Sequence, residues 1–323
     1  MKILFCSDVQ MGTACTENID VKQSHKWQVA RSQKLADLFD NATQNNATYV
    51  ALVGQIFGQD RISESVIDDL FDCAKHEAGV QILLFFNERE FNRISYRNDI
   101  PENIHILSME NEASFTDPSI SIRTNNGAAE LQIGNNETFV IRKNESEQYL
   151  IDGTDKEYMI PSFEPIGFED AEKCSFGYGI FDYSEGSPAS FTIKPDQKYA
   201  FRTAEVRILA GDDEKEILRK INDSVRNMDH DTFLRITLTG STAFGMTING
   251  GALKKQLQNK LFFVEVYDNT VMDVDMETFE NDISLRSEFV RLAMEDDSLS
   301  ISERNRLISC GWNALNSKEA SGK

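Results

Sequence analysis

Short apolar runs alternate with segments of helical period along the first hundred residues. Residues 3–7 form one apolar run, Tyr49–Val53 a second and Val80–Phe86 a third. Between the first two, residues 26–41 place Trp27, Ala30, Leu35, Leu38 and Phe39 near helical spacing. Between the second and third, residues 63–78 place Val66, Ile67, Leu70, Phe71 and Ala74 on one helical face. The pattern predicts β-α-β-α-β, hence a parallel sheet with helices on its faces.

From about Asn103 the pattern changes. Short β-like segments at 119–123, 129–133, 137–142 and 148–151 are separated by Asn, Gly and Ser. They predict an antiparallel stretch packed on the first sheet, continued by Ser175–Tyr183 and Ser190–Ile193. A second module begins around Lys194-Pro195-Asp196. Its strands are Glu205–Leu209, Phe233–Leu238 and Leu261–Tyr267. Its helices are one capped by Asp212 that carries Ile217, Leu218 and Ile221, and another over 250–259. From about Glu277 the chain reads as charged helix. Phe289, Leu292 and Ala293 form one apolar stripe, and Leu307, Ile308, Trp312 and Leu315 form the next. Ser300 and Glu303 have the spacing of a capping box between them. The expected division is 1–194, 195–272 and 273–323.

Composition narrows this picture. Hydrophobic residues make up 40% of the 323 positions, and 21 are Phe, so a sizeable core can form. No apolar run approaches the ~20 residues needed to cross a bilayer, so no membrane span is expected. The chain opens straight into a strand-like segment, and no signal peptide is expected. The five Cys (6, 15, 73, 174 and 310) are scattered and form no CxxC pair. This fits reduced thiols in a cytoplasm better than a disulfide frame or a zinc site. Net charge is -20, which argues against unaided binding to duplex DNA, because phosphate contacts need a basic face. There is no Walker A loop, no G-x-G-x-x-G and no G-x-S-x-G elbow. Thr239-Gly240-Ser241 and Asn249-Gly250-Gly251 read as turns.

Three loops follow the buried strands: Ser7-Asp8-Val9-Gln10, Gly54-Gln55-Ile56-Phe57-Gly58 and Phe86-Asn87-Glu88-Arg89. Open α/β sheets place their sites at these strand ends. Taken together, the loops resemble the signature loops of calcineurin-like metallophosphoesterases, in particular the SbcD-type DNA-repair exonucleases. Arg31 with its helix, Val50–Gly54 and Pro101-Glu102-Asn103-Ile104-His105 resemble the matching segments of that family. Glu164–Asp170, Ser175–Phe181, the module at 196–270 and the closing helix with Arg304, Leu307 and Gly311–Leu315 resemble its YhaO-like branch. The resemblance implies an α/β fold: a two-sheet β-sandwich flanked by helices, a small α+β cap domain and C-terminal helices.

It also implies a reaction, in which two cations (Mn or Mg) share a bridging carboxylate, activate water and clamp the phosphate. This chain departs from that pattern. Asp8 and Asn87 are the retained ligand types. Gln10 stands for a His, Gln55 for the bridging Asp, and Glu88 for the His that assists the leaving group. An amide oxygen is a weak, neutral donor beside imidazole. The later His ligands have no counterpart among His25, His76, His105 and His230. The expectation is therefore a degenerate site with no cofactor, with Asp8 and Asn87 capping turns. Glu88 is then solvated or paired with Arg89 or Arg93.

Three functions compete. The first is a non-catalytic subunit docking on an SMC-like coiled-coil ATPase through Phe289, Leu292, Leu307 and Trp312. Packing of those residues on the chain's own core is the equal alternative. The second is an active Mn- or Mg-dependent phosphodiesterase or exonuclease with an altered ligand set, down to a single Mg²⁺ at Asp8 and Glu88. The third is a ligand-binding pseudoenzyme using Arg89 and Arg93. The resemblance also implies a homodimer through 63–78 or 91–98, with DNA binding weak outside a complex.

Overall fold

The apolar runs of the N-terminal half become parallel strands: β1 (Lys2–Ser7), β2 (Tyr49–Val53), β3 (Gln81–Phe86) and β4 (Ile104–Ser108). The structure, a computed structural model, describes residues 1–320 apart from 59–61, 76–78, 110–113, 118–119, 126–127, 134–136, 144–156, 173–174, 186, 245, 247 and 274–281. Two units divide the chain, Met1–Tyr199 and Ala200–Lys323.

In the first unit, β5 (Ser114–Asp117), β6 (Ile120–Asn125), β7 (Ala128–Ile133), β8 (Glu137–Lys143) and β9 (Glu157–Ile160) form a five-stranded sheet in sequence order. Its pairings are antiparallel except β8–β9, which is parallel. Then β10 (Gly177–Asp182) pairs antiparallel with β1, and β11 (Ser190–Pro195) pairs with β10. The first sheet is thus six-stranded, in the order β11-β10-β1-β2-β3-β4.

Successive side chains of a strand point to opposite faces, so the first sheet must be apolar on both sides if both are covered. It is. Ile3, Phe5, Ala51, Val53, Leu83 and Phe85 share a core with Ile122, Leu131, Phe139 and Ile141 of the five-stranded sheet. Leu4, Cys6, Val50, Leu52, Leu84 and Phe86 form a second core with the helices. Those helices are α1 (Val21–Gln44), opened by an Asp20–Gln23 capping box, and α2 (Glu64–Lys75). Two short helices follow, α3 (Glu88–Ile94) and α4 (Phe168–Ala171).

The second unit alternates β12 (Ala200–Ile208), α5 (Glu214–Ser224), β13 (Thr232–Thr242), α6 (Gly250–Gln258) and β14 (Phe263–Asp268). The three strands are parallel, in the order β12-β13-β14, and β15 (Val271–Met272) extends the pairing along the end of β13. Asp213, not the expected Asp212, caps α5 by accepting the Glu216 N–H. Asp212 instead accepts the Leu209 N–H and the Lys220 ammonium. Two helices end the unit, α7 (Leu285–Glu295) and α8 (Ile301–Ala320). The Ser300–Glu303 capping box opens α8 as expected, each residue bonding the other's backbone N–H. These helices share a unit with the small sheet. The expected segment at 148–151 lies outside the described residues. No helix among the described residues is long and apolar enough to cross a membrane.

Candidate functional site at the carboxyl ends of β1, β2 and β3

The β1–β2 ladder does not stop where the strands do. The Asp8 N–H donates to Val53 O at 3.0 Å, Gln10 N to Gln55 O at 3.1 Å and Met11 N to Ile56 O at 2.8 Å. Asp8 and Gln10 adopt left-handed conformations, with φ of 50° and 49°. L-residues rarely adopt such φ values, but Asp tolerates them best among charged residues because its short side chain bonds locally. The Asp8 carboxylate is buried, and its Oδ1 accepts the Gln55 N–H at 3.0 Å. Asp8 therefore fastens the second loop.

Asn87 caps α3, its side chain accepting the Glu90 N–H at 2.9 Å. Glu88 and Arg89 fall in the first turn of α3 and are exposed. Arg93 does not serve Glu88: its guanidinium meets Glu64, which also holds Arg97 at 2.8 Å. His105 lies on β4, with Nε2 2.7 Å from Gln81 Oε1, away from these loops. His25 falls in α1 and His230 in the second unit, while His76 is outside the described residues. Among the described residues, no three His, Cys, Asp or Glu side chains group so as to share a metal ion.

The structure adds acidic and basic groups to which sequence reasoning gave no role. Glu90 is fully buried, and its Oε1 accepts the Phe57 N–H of the second loop at 2.7 Å. Its Oε2 has no hydrogen-bond partner among the described residues. Burial pushes its pKa up from 4.5 to about 7, against the opposing pull of the Phe57 N–H. On α1, Arg31 and Lys34 are buried in line with Trp27, Leu35 and Leu38. Arg31 Nη2 donates to Val9 O of the first loop at 2.7 Å, and Nη1 reaches the carbonyls of Glu164 and Pro165 at 3.4 Å. Desolvation lowers the Arg31 pKa to about 10, which leaves it charged at neutral pH. Lys34 pairs with the buried Glu164 at 2.5 Å and donates to Phe163 O at 3.1 Å.

These cations tie the 161–165 segment to the end of β1, where Ser7 N donates to Pro161 O and Phe163 N to Ser7 O. The sequence carried a signal for them. A cation at 31 and another at 34 fall on an apolar stripe of period 3.6, where a charge is expected only if it has buried partners. Glu90 gave a weaker signal, since its spacing from Asn87 suits helix-start chemistry and points to no contact with the second loop.

The partner-docking residues separate. Phe289 and Trp312 pack on a core of Met272, Val290, Ala293 and Ile308. Trp312 meets Phe244 edge-on at 4.8 Å. Leu292 and Leu307 are 59% and 41% exposed.

Fold and site together define a mixed α/β protein whose candidate site sits at the carboxyl ends of parallel strands. No family model matches the chain, and no curated protein matches it.

Proposed function

We propose that this chain is a degenerate relative of SbcD- and YhaO-type metallophosphoesterases, one that has lost phosphodiester cleavage and serves as a non-catalytic subunit or scaffold in a cytoplasmic complex. The observation that carries the reading is the use of the strand-end loops. Asp8 Oδ1 takes the Gln55 N–H and Asn87 takes the Glu90 N–H, so both retained ligand types hold backbone. Gln55, at the position of the bridging acid, brings no charge to offset repulsion between two cations. Several carboxylates, with imidazole beside them, are what a pair of Mn²⁺ or Mg²⁺ ions needs at such a site, and this donor set does not fit a cation pair. A helix-flanked sandwich with a separate small α/β unit is consistent with the family's architecture. The exposed Leu292 and Leu307 are the part of the docking stripe still available to an SMC-like coiled-coil ATPase.

The test is a nuclease assay on single- and double-stranded DNA with Mn²⁺ or Mg²⁺, beside metal analysis of the purified protein. No cleavage above background is expected. Mn²⁺-dependent cleavage that disappears in Asp8→Ala would establish the alternative, an active phosphodiesterase with an altered metal site.

A further inference from the structure

The strand β12 ends the small sheet of the second unit and pairs on one side with β13. It runs 9 residues and holds no Pro or Gly. The other strands that end a sheet, β4, β5, β9, β11 and β14, run 4 to 6 residues. A long regular edge is a template for another strand, and proteins that leave an edge unused shorten it, bulge it or interrupt it.

Backbone direction decides what this edge offers. The Ala200 N–H donates to Asp231 O at 3.1 Å, so β12 residues of even number turn their N–H and C=O to β13. Thr203, Glu205 and Arg207 turn theirs the other way. Among the described residues these groups bond to no other backbone, and the Lys220 ammonium reaches the Arg207 carbonyl at 3.4 Å. Lys220 is itself paired with Asp212 at 2.5 Å. The side chains of Thr203, Glu205 and Arg207 share one face of the strand and are exposed. Ala204, Val206 and Ile208 lie on the other face, in a core with Ile217 and Ile221 of α5.

The exposed side chains complement a copy of themselves. Arg207 has no carboxylate partner among the described residues, and Glu205 bonds the Thr239 hydroxyl at 2.8 Å. A two-fold axis normal to the sheet lays a second β12 antiparallel to the first, with like faces on the same side. The axis can fall at Ala204, Glu205 or Val206. At Ala204 it sets Glu205 against Thr203, and at Glu205 it sets that carboxylate against itself. At Val206 it sets Glu205 against Arg207 of the second copy, twice, with Ala204 against Ile208 on the helix side. Opposite charges directly across a strand pair are favourable and like charges costly, so the register at Val206 is the one these residues select.

We propose that the second unit pairs with a second copy of this chain through β12, antiparallel and with Val206 at the two-fold axis, so that the two small sheets become one. The proposal does not rest on the reading of the first unit. The test is sedimentation equilibrium of the full chain from micromolar to millimolar concentration, with hydrogen exchange followed over residues 200–208. A dimer is expected, with the Glu205 and Arg207 amides exchanging more slowly as concentration rises. Glu205→Arg and Arg207→Glu each set like charges across the axis, and each is expected to weaken the dimer at least about tenfold. They move the net charge in opposite directions, so a general charge effect cannot weaken it in both. The combined swap restores both pairs and is expected to return the affinity to near that of the wild type. Both side chains are exposed, so the fold is kept, and unchanged melting temperatures would verify this. The assignment is overturned if the chain stays monomeric, which would leave the edge to another protein's strand. It is equally overturned if a dimer ignores both single substitutions, or if the swap is as weak as either of them.

Discussion

At the residue scale the decisive groups are side chains that serve the backbone of distant loops. Glu90 is the one whose titration its burial moves. Its carboxyl titrates near 4.5 when unfolded and about 7 when folded. Between those values the folded state keeps a proton that the unfolded state has released, so stability falls as pH rises through the window. The contribution is complete below 4.5 and lost above 7. The shift corresponds to about 3 kcal/mol. Glu90→Gln keeps an acceptor for the Phe57 N–H and removes the titration. Urea denaturation from pH 4 to pH 8 should show the variant gaining on the wild type by up to that amount as pH rises. A difference that stays flat across the window would mean that Glu90 does not take up its proton there.

At the element scale the long amphipathic pieces were legible and the short ones were not. The stripe Trp27, Leu35, Leu38, Phe39 fixes α1 because a 24-residue helix repeats its apolar face many times over. By contrast β4, β5 and β9 run 4 or 5 residues each. Strands of that length become strands only through their neighbours, and no repeat in the sequence announces them. The choice between Asp212 and Asp213 as cap was equally local in sequence. It was decided by Lys220, which takes Asp212 away. The hairpin of α7 and α8 shows both behaviours. Its capping box and stripes were readable, but not which stripe residues face inward. Phe289 lies so close over Gly311 that a Cβ there would stand 2.3 Å from the ring. Gly311→Ala should therefore cost about 1–3 kcal/mol by overpacking, measurable by thermal denaturation. Leu292→Glu and Leu307→Glu should stay within about 0.5 kcal/mol of the wild type yet abolish co-purification with a coiled-coil ATPase. If the ATPase still co-purifies with both variants, docking does not use that surface.

At the scale of the whole molecule, charge constrains what the chain can do alone. With 53 acidic and 33 basic side chains, it repels a polyanion unless a basic face is locally assembled. Gel-shift titration of duplex DNA at physiological salt should therefore give no retention at micromolar protein. Retention that weakens steeply with salt would reveal such a face.

The sequence by itself determined the strand-helix alternation in both units, the parallel order of the first strands, the capping box of α8 and the neutral amide side chains at positions 10 and 55. Each is a matter of local period or residue chemistry, visible without knowing what lies opposite. Only the tertiary structure decided that Asp8 bonds the second loop, that Glu90 is buried beneath it, and that Arg31 and Lys34 anchor the segment after β9. Those facts depend on groups far apart in the chain meeting across a packed interior, where burial and partner, not residue type, set what a side chain does.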